Sequence, residues 1–339
     1  MTSHPEFNEK TTATEVANSF ADRIQNRNVV ITGVGPKSLG ESMALAIAAH
    51  NPAKLILASR TLEKLRQVAD EISKKSPQAS SAVELVTLDL ASQQSVQAAA
   101  NRIAELVDSI DILINNAGIM VLSPEKTAEG IELQFGTNHI GHFLFTNLLI
   151  DKLKKAAGSR PPGNTRIINV SSAGHRLSPI RFHDYNIEGK DVPDEEQPPP
   201  EMLKVYGKVE KYNGWIAYGQ SKTANILFSV YLNQKLAPAG VVSYAVHPGS
   251  IWTNLNRNLD EEGNNILAKT GKYWKTNDEG AAPMLIAAFD PKLDATPQPS
   301  GAYLHECQVA QPAPWASDVN AAERLAQLSE ELVGRKFKL

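Results

Sequence analysis

From residue 28 to residue 114 the chain alternates between short runs rich in β-branched residues and longer amphipathic ones. The apolar runs are residues 28–31, 54–59, 83–88 and 110–114. Helical patterns occupy 39–50, 61–75 and 92–107, the last with Ser92 as its N-cap. A parallel strand pair needs a crossover of a dozen or more residues, which a helix supplies. The alternation therefore predicts an α/β fold with a Rossmann-type, doubly wound parallel sheet. Strands at 165–170, 241–246 and 302–305 extend the pattern. Helices at 135–155, 278–289 and 318–333 complete it. No repeat or second hydrophobic core interrupts it, so residues 12–339 read as a single domain. Residues 1–11 are expected to be disordered, and Thr12-Ala13-Thr14-Glu15 reads as a capping box on a short helix.

In such sheets ligands bind beyond the C-terminal ends of the strands. The first strand ends in Thr32-Gly33-Val34-Gly35-Pro36-Lys37-Ser38-Leu39-Gly40. A strand, a glycine-rich turn and a helix N-terminus make a phosphate cradle, because glycines admit close approach and free amides attract the charge. An ordinary βα turn also uses glycine. Arg60 follows the second strand, where an acid would suit the ribose of NAD and an arginine suits the 2′-phosphate of NADP. Lys37 is within reach of the same phosphate. Asp89, Asn115-Asn116-Ala117-Gly118, Ser171-Ser172 and His247-Pro248-Gly249 stand at further strand ends. Asn138 lies inside a helix, against its propensity, and so needs a hydrogen-bond partner.

Tyr218 and Lys222 are four residues apart in a helical pattern that runs to about Lys235, so they share one face. A neighbouring ammonium lowers a phenol's pKa from about 10. The pair can then exchange a proton with a carbonyl or an alcohol. Solvated helix faces carry the same spacing, so the pair alone does not decide.

A net charge of −3 without a basic cluster argues against nucleic-acid binding. The single cysteine, Cys307, excludes an internal disulfide framework and a multi-cysteine metal site. No apolar window reaches the roughly 20 residues of a membrane span, so no stable membrane insertion is expected and a cytoplasmic location is the default. Residues 188–211 break the rhythm with an acidic, proline-rich stretch that reads as an inserted loop before the Tyr218 helix. Its Met202, Leu203, Val205 and Tyr206 are expected to dock while the acidic part stays in water. Residues 250–276 read as a flap over the site. Trp215, Ile251, Trp252 and Leu255 suggest an apolar pocket with no Arg or Lys beside it.

These motifs, in this order, resemble the classical short-chain dehydrogenase/reductase family from about Thr12 to Val333. The stretches from Asn138 to Phe143 and from Ala217 to Lys222 are similar to the branch around retinol dehydrogenases, WW-domain oxidoreductase and the chloroplast translocon reductase. The resemblance implies a mechanism. Tyr218 is the proton donor and Ser172 hydrogen-bonds the substrate oxygen. Lys222 lowers the Tyr218 pKa and holds the nicotinamide ribose, and Asn138 keeps a water linking Lys222 to solvent.

It also implies cofactor contacts from Gly33, Lys37, Ser38, Leu39 and Gly40 in the turn, and from Arg60, Asp89 and Leu90. Asn116, Ala117, Gly118, Tyr218, Lys222, Pro248, Gly249, Ile251 and Thr253 complete the implied set. The implied activity is NADP(H)-dependent interconversion of a carbonyl and an alcohol on a small, hydrophobic substrate, without a metal. A non-redox binding protein or enzyme on the same fold is the alternative. The insertion suggests a monomer or a small homo-oligomer.

Two features depart from the family. The glycine turn is one residue longer, with Ser38 where a glycine is usual, so its Cβ is expected to hold the loop further from the pyrophosphate. Ser172 and Tyr218 are also unusually far apart in sequence.

Overall fold

Strands β1 (Asn28–Thr32), β2 (Lys54–Ser59), β3 (Val83–Thr87) and β4 (Ile112–Asn115) form half of an eight-stranded sheet. β5 (Thr165–Val170), β6 (Val241–His247), β9 (Tyr303–His305) and β10 (Gln308–Val309) form the rest, and β7 (Ser250–Ile251) pairs with β8 (Trp274–Lys275) apart from this sheet. The computed structural model describes residues 1–252, 255, 259–269 and 271–339. The strand order is β10-β9-β6-β5-β4-β1-β2-β3, and only β10 runs antiparallel to its neighbour. Val30 in β1 pairs with Ile56 on one side and Leu113 on the other. The order reverses between β1 and β4, which opens the crevice where ligands enter such sheets. Every residue of β4, β5 and β6 is buried, the polar Asn115, Arg166, Asn169 and Ser243 included, as suits central strands covered on both faces.

One face of the sheet carries α1 (Ala13–Ser19), α2 (Ala21–Ile24), α3 (Leu39–Ala48), α4 (Leu62–Lys75) and, from late in the chain, α12 (Asn277–Phe289). The other carries α5 (Gln93–Leu106), α7 (Gly141–Leu148), α8 (Ile150–Ala157), α10 (Gly214–Leu236) and α13 (Val319–Leu332). The Thr12–Glu15 capping box forms as the spacing predicts. Among the described residues no helix is long and apolar enough to cross a membrane.

Three expectations are corrected. Residues 1–11, expected to be disordered, are tied down: Thr2 donates to the Gln308 side chain at 2.8 Å, Ser3 N–H to Asp290 at 2.8 Å, and His4 stacks on Phe7. The helix expected over 135–155 is broken. It begins as a single turn, α6 (Leu133–Phe135), widens into a π-turn over Gly136–Ile140, and resumes as α7 and then α8.

The third correction concerns the insertion, which is more ordered than a solvated loop. Pro200 opens a short helix, α9 (Pro200–Tyr206), where its missing N–H costs nothing. The acidic part does not all stay in water. Glu196 is buried, accepting from the His183 backbone at 3.0 Å and pairing with Arg324 of α13 at 3.1 Å. Val205, expected to dock, is 60% exposed.

Candidate active site

A cavity of about 670 Å3 opens along the C-terminal ends of the parallel strands. Most of the strand-end residues singled out from the sequence line it. From β1 and its turn come Gly33, Ser38 and Leu39; from β2 and β3, Arg60, Asp89 and Leu90. From β4 come Asn116, Ala117 and Gly118, and from β5 and α10, Ser172, Tyr218 and Lys222. Pro248, Gly249 and Ile251 follow β6. Lys37 and Gly40 do not line it, and Asn138 stands behind its wall, fully buried. Thr253 lies outside the described residues.

The glycine turn is built for close approach. Gly33 sits at φ +74°, and a Cβ there would meet Ala117 Cα at 2.6 Å. A Cβ on Gly40 would meet the Gly33 carbonyl oxygen at 2.8 Å, which is the reason this residue is a glycine although it faces no ligand. Ser38 acts otherwise than expected. Its hydroxyl accepts from Glu41 N–H at 3.2 Å and donates to the Gly35 carbonyl at 2.6 Å, so it caps α3 and closes the longer turn. The Ser38-x-x-Glu41 spacing carried that signal. Lys37, expected to reach the phosphate, has its backbone N–H held by Glu41 at 2.7 Å and is absent from the wall. Lys64, in the first turn of α4, lines the cavity in its place. The sequence reading missed it, although its place in the first turn of the helix after Arg60 was legible.

Asn116 and Asn138 hold the next turn. Asn116 donates to the Thr32 and Gly33 carbonyls at 2.8 and 3.4 Å. Asn138, in the π-turn, accepts from Ile119 N–H at 2.8 Å and donates to Ile119 O and Ser221 Oγ, each at 3.0 Å. These are the partners that an asparagine in this helix required. A Cβ on Gly118 would lie 3.3 Å from Lys222 Nζ and 3.4 Å from Asn138 Oδ1, so this glycine lets the chain pass in front of both.

α10 is buried all round from Gly214 to Asn233, so Tyr218 and Lys222 do not sit on a solvated face. Lys222 Nζ donates to the Val170 carbonyl at 3.1 Å and stands 5.6 Å from the centre of the Tyr218 ring. Ser172 accepts from Gly174 N–H at 3.0 Å, leaving its own proton to donate. A Cβ on Gly174 would strike Tyr218 Cε1 at 2.8 Å, so glycine is needed for the ring to lie against this turn. Burial pushes the Tyr218 phenol up to about 12, with a Ser172 hydrogen bond pulling the other way. Burial pulls Lys222 down to about 8. The Tyr218 pKa is thus governed by desolvation, opposed by Ser172 and not by Lys222, which corrects the expectation that Lys222 lowers it. A phenol in this state is protonated at neutral pH and suited to donate.

One side of the cavity is largely apolar: Met120, Leu177, Met202, Tyr206, Trp215, Leu255 and Leu267 line it. Met202 and Tyr206 come from α9 of the insertion. The ring of Tyr206 packs on Trp215 at 5.1 Å, and its carbonyl accepts from Asn213, the N-cap of α10, at 2.9 Å. Leu267 comes from α11 (Glu261–Ala268). Arg176 also lines the cavity, which corrects the expectation that no cation stands beside the pocket. It approaches through the turn after Ser172, a contact that no sequence spacing reports. Among the described residues no group of three metal-ligating side chains comes together.

Comparison with known proteins agrees with this geometry. Residues 27–186 match the short chain dehydrogenase family. The chain is 36% identical to human retinol dehydrogenase 13 over 316 residues, covering 92% of this chain and 86% of that one. It is 34% identical to the chloroplastic short-chain dehydrogenase TIC 32 A of Brassica napus, covering 96% and 94%. Among solved structures, an uncharacterized protein of Mycobacterium paratuberculosis superposes with a TM-score of 0.64 at 30% identity, covering 93% of this chain and 96% of that one.

Proposed function

As a chain that belongs to the short-chain dehydrogenase family, this protein is an oxidoreductase, and we propose that it interconverts a carbonyl and an alcohol with NADP(H). The observation that carries the reading is the convergence of Ser172, Tyr218 and Lys222 on one wall of a cavity whose other end is a glycine cradle. The cradle fits a dinucleotide: Gly33, at φ +74° and packed against Ala117, keeps the turn tight, and Ser38 and Leu39 at the N-terminus of α3 line the cavity. Arg60 and Lys64, with no acid after β2, favour a 2′-phosphate and hence NADP(H). A bound nicotinamide supplies or takes up the hydride. The chain's own residues do the rest. Ser172 donates to the substrate oxygen, and Tyr218 gives it a proton in reduction. Lys222 has two further N–H groups for a ribose and sets the local charge. A non-redox role would be favoured by a degraded catalytic set, and the set is intact.

The apolar wall favours a bulky, hydrophobic aldehyde, ketone or alcohol. α9 of the insertion and, from the later segment, Leu255 and α11 serve as its roof, since Tyr206, Leu255 and Leu267 all line the cavity. A cytoplasmic location suits a lone, buried thiol at Cys307.

Tyr218→Phe keeps the ring and removes the proton, so NADPH-dependent carbonyl reduction should fall by about 100-fold or more. NADPH binding should persist. Near-normal turnover by this variant would overturn the mechanism.

A further inference from the structure

The cofactor turn and the π-turn meet at one imidazole that the mechanism above does not use. His142 lies on α7, one helical turn after Asn138, and is 2% exposed. Its Nδ1 stands 3.1 Å from the Asn138 carbonyl oxygen, and its Nε2 stands 2.9 Å from Thr32 Oγ1. Thr32 immediately precedes Gly33. Its Oγ1 accepts two backbone N–H groups, from Asn116 at 2.9 Å and Ala117 at 3.0 Å.

The proton inventory settles who donates. A hydroxyl has two lone pairs and one proton. Both lone pairs of Thr32 Oγ1 are taken by the two amides, so its proton goes to His142 Nε2. That nitrogen is therefore the acceptor. The ring proton sits on Nδ1 and is donated to the Asn138 carbonyl. The network closes only with a neutral ring, and burial agrees by holding His142 down at about 4.

We infer that His142 is a positioning residue, joining the cofactor cradle to the Asn138 π-turn through two hydrogen bonds that can be cut one at a time. The Nε2 arm holds Thr32, and through it the Asn116-Ala117 amides that frame Gly33. The Nδ1 arm holds the backbone of Asn138, whose side chain fixes Ile119 and Ser221 beside Lys222. The inference rests on the function proposed above, because it assigns the two arms to cofactor seating and to proton donation.

Two amide replacements separate the arms. His142→Asn keeps a donor where Nδ1 stands and removes the acceptor for Thr32. NADPH should then dissociate about 10-fold more readily in a fluorescence titration, with kcat largely kept. His142→Gln keeps an acceptor near the Nε2 position and removes the Nδ1 donor. NADPH affinity should be kept, while kcat falls about 10-fold and the alkaline limb of its pH profile moves. Thr32→Val, which also takes the acceptor from the Asn116 and Ala117 amides, should weaken NADPH at least as much as His142→Asn, and the double variant should be no weaker than Thr32→Val alone.

Equal losses of affinity and kcat in both His142 variants, no loss in either, or additive losses in the double variant would overturn the inference. If neither His142 variant folds, Thr32→Val and 15N imidazole spectra of the intact protein carry the test. Nδ1–H with a bare Nε2 down to pH 5 is expected, and the opposite tautomer overturns it. A wild-type protein that binds neither cofactor nor reduces any carbonyl would instead remove the proposed function, leaving the tautomer result standing.

Discussion

Lys222 Nζ donates to the Val170 carbonyl at 3.1 Å from the wall of the cavity, where the residue is only 3% exposed. Burial brings its pKa to about 8 while that of Tyr218 rises to about 12. Below about 8 the ammonium is present and Tyr218 is protonated. As pH rises through this value the ammonium is lost first. The rate of carbonyl reduction at saturating NADPH should therefore be flat through neutrality and decline above pH 8. A profile that stays flat to pH 10 would show that the charge on Lys222 is not needed.

Cofactor choice should follow the basic pair beyond β2. Arg60→Ala removes a planar fork suited to phosphate. Its NADPH affinity should drop about 10-fold while NADH changes little. Lys64→Ala should act in the same direction, and the double variant should lose most of the preference. Isothermal titration with both cofactors reads this. Equal losses for NADPH and NADH would show that the pair does not read the 2′-phosphate.

The insertion should behave as a wall of the substrate pocket. Tyr206→Ala removes a ring that packs on Trp215 and faces the cavity. KM for a bulky apolar aldehyde should rise by about 10-fold, with little change for a small one. NADPH affinity should be unaffected. Unchanged KM across substrates of different size would confine α9 to a structural role.

The assembly should be small. α10, Gly214–Leu236, is covered by its own chain, with α13, β6 and the turn after Ser172 all packed on it. His139 binds Ser329 of α13 at 2.8 Å, and Phe337 packs edge-on against Phe143 at 5.9 Å. These faces of α7 and α10 are therefore not free to pair with a second copy. Light scattering should give a mass near 36.8 kDa, or twice that at most. A compact tetramer would refute this.

What could be read from residues alone is what local spacing encodes. The alternation of β-branched runs with helical ones determined the doubly wound sheet, because crossover length and strand burial leave few alternatives. Strand ends are local features as well, so Gly33, Arg60, Asp89, Gly118, Ser172 and Gly249 could all be assigned to one edge before any coordinates. Tyr218 and Lys222 shared a face by helical period alone.

The rest depended on groups far apart in sequence. Thr32 and His142 are 110 residues apart and meet only because β1 lies beside β4 and beneath α7. Met202 and Tyr206 became pocket walls through the Asn213 cap, and Arg176 through the turn behind Ser172. The π-turn that aims Asn138 is a packing compromise that period alone cannot report. Proton affinities followed the same division. The spacing of Tyr218 and Lys222 suggested that charge would govern them, whereas burial of both side chains made desolvation the governing effect. Burial is a property of everything that packs around a residue, and only the folded chain determines it.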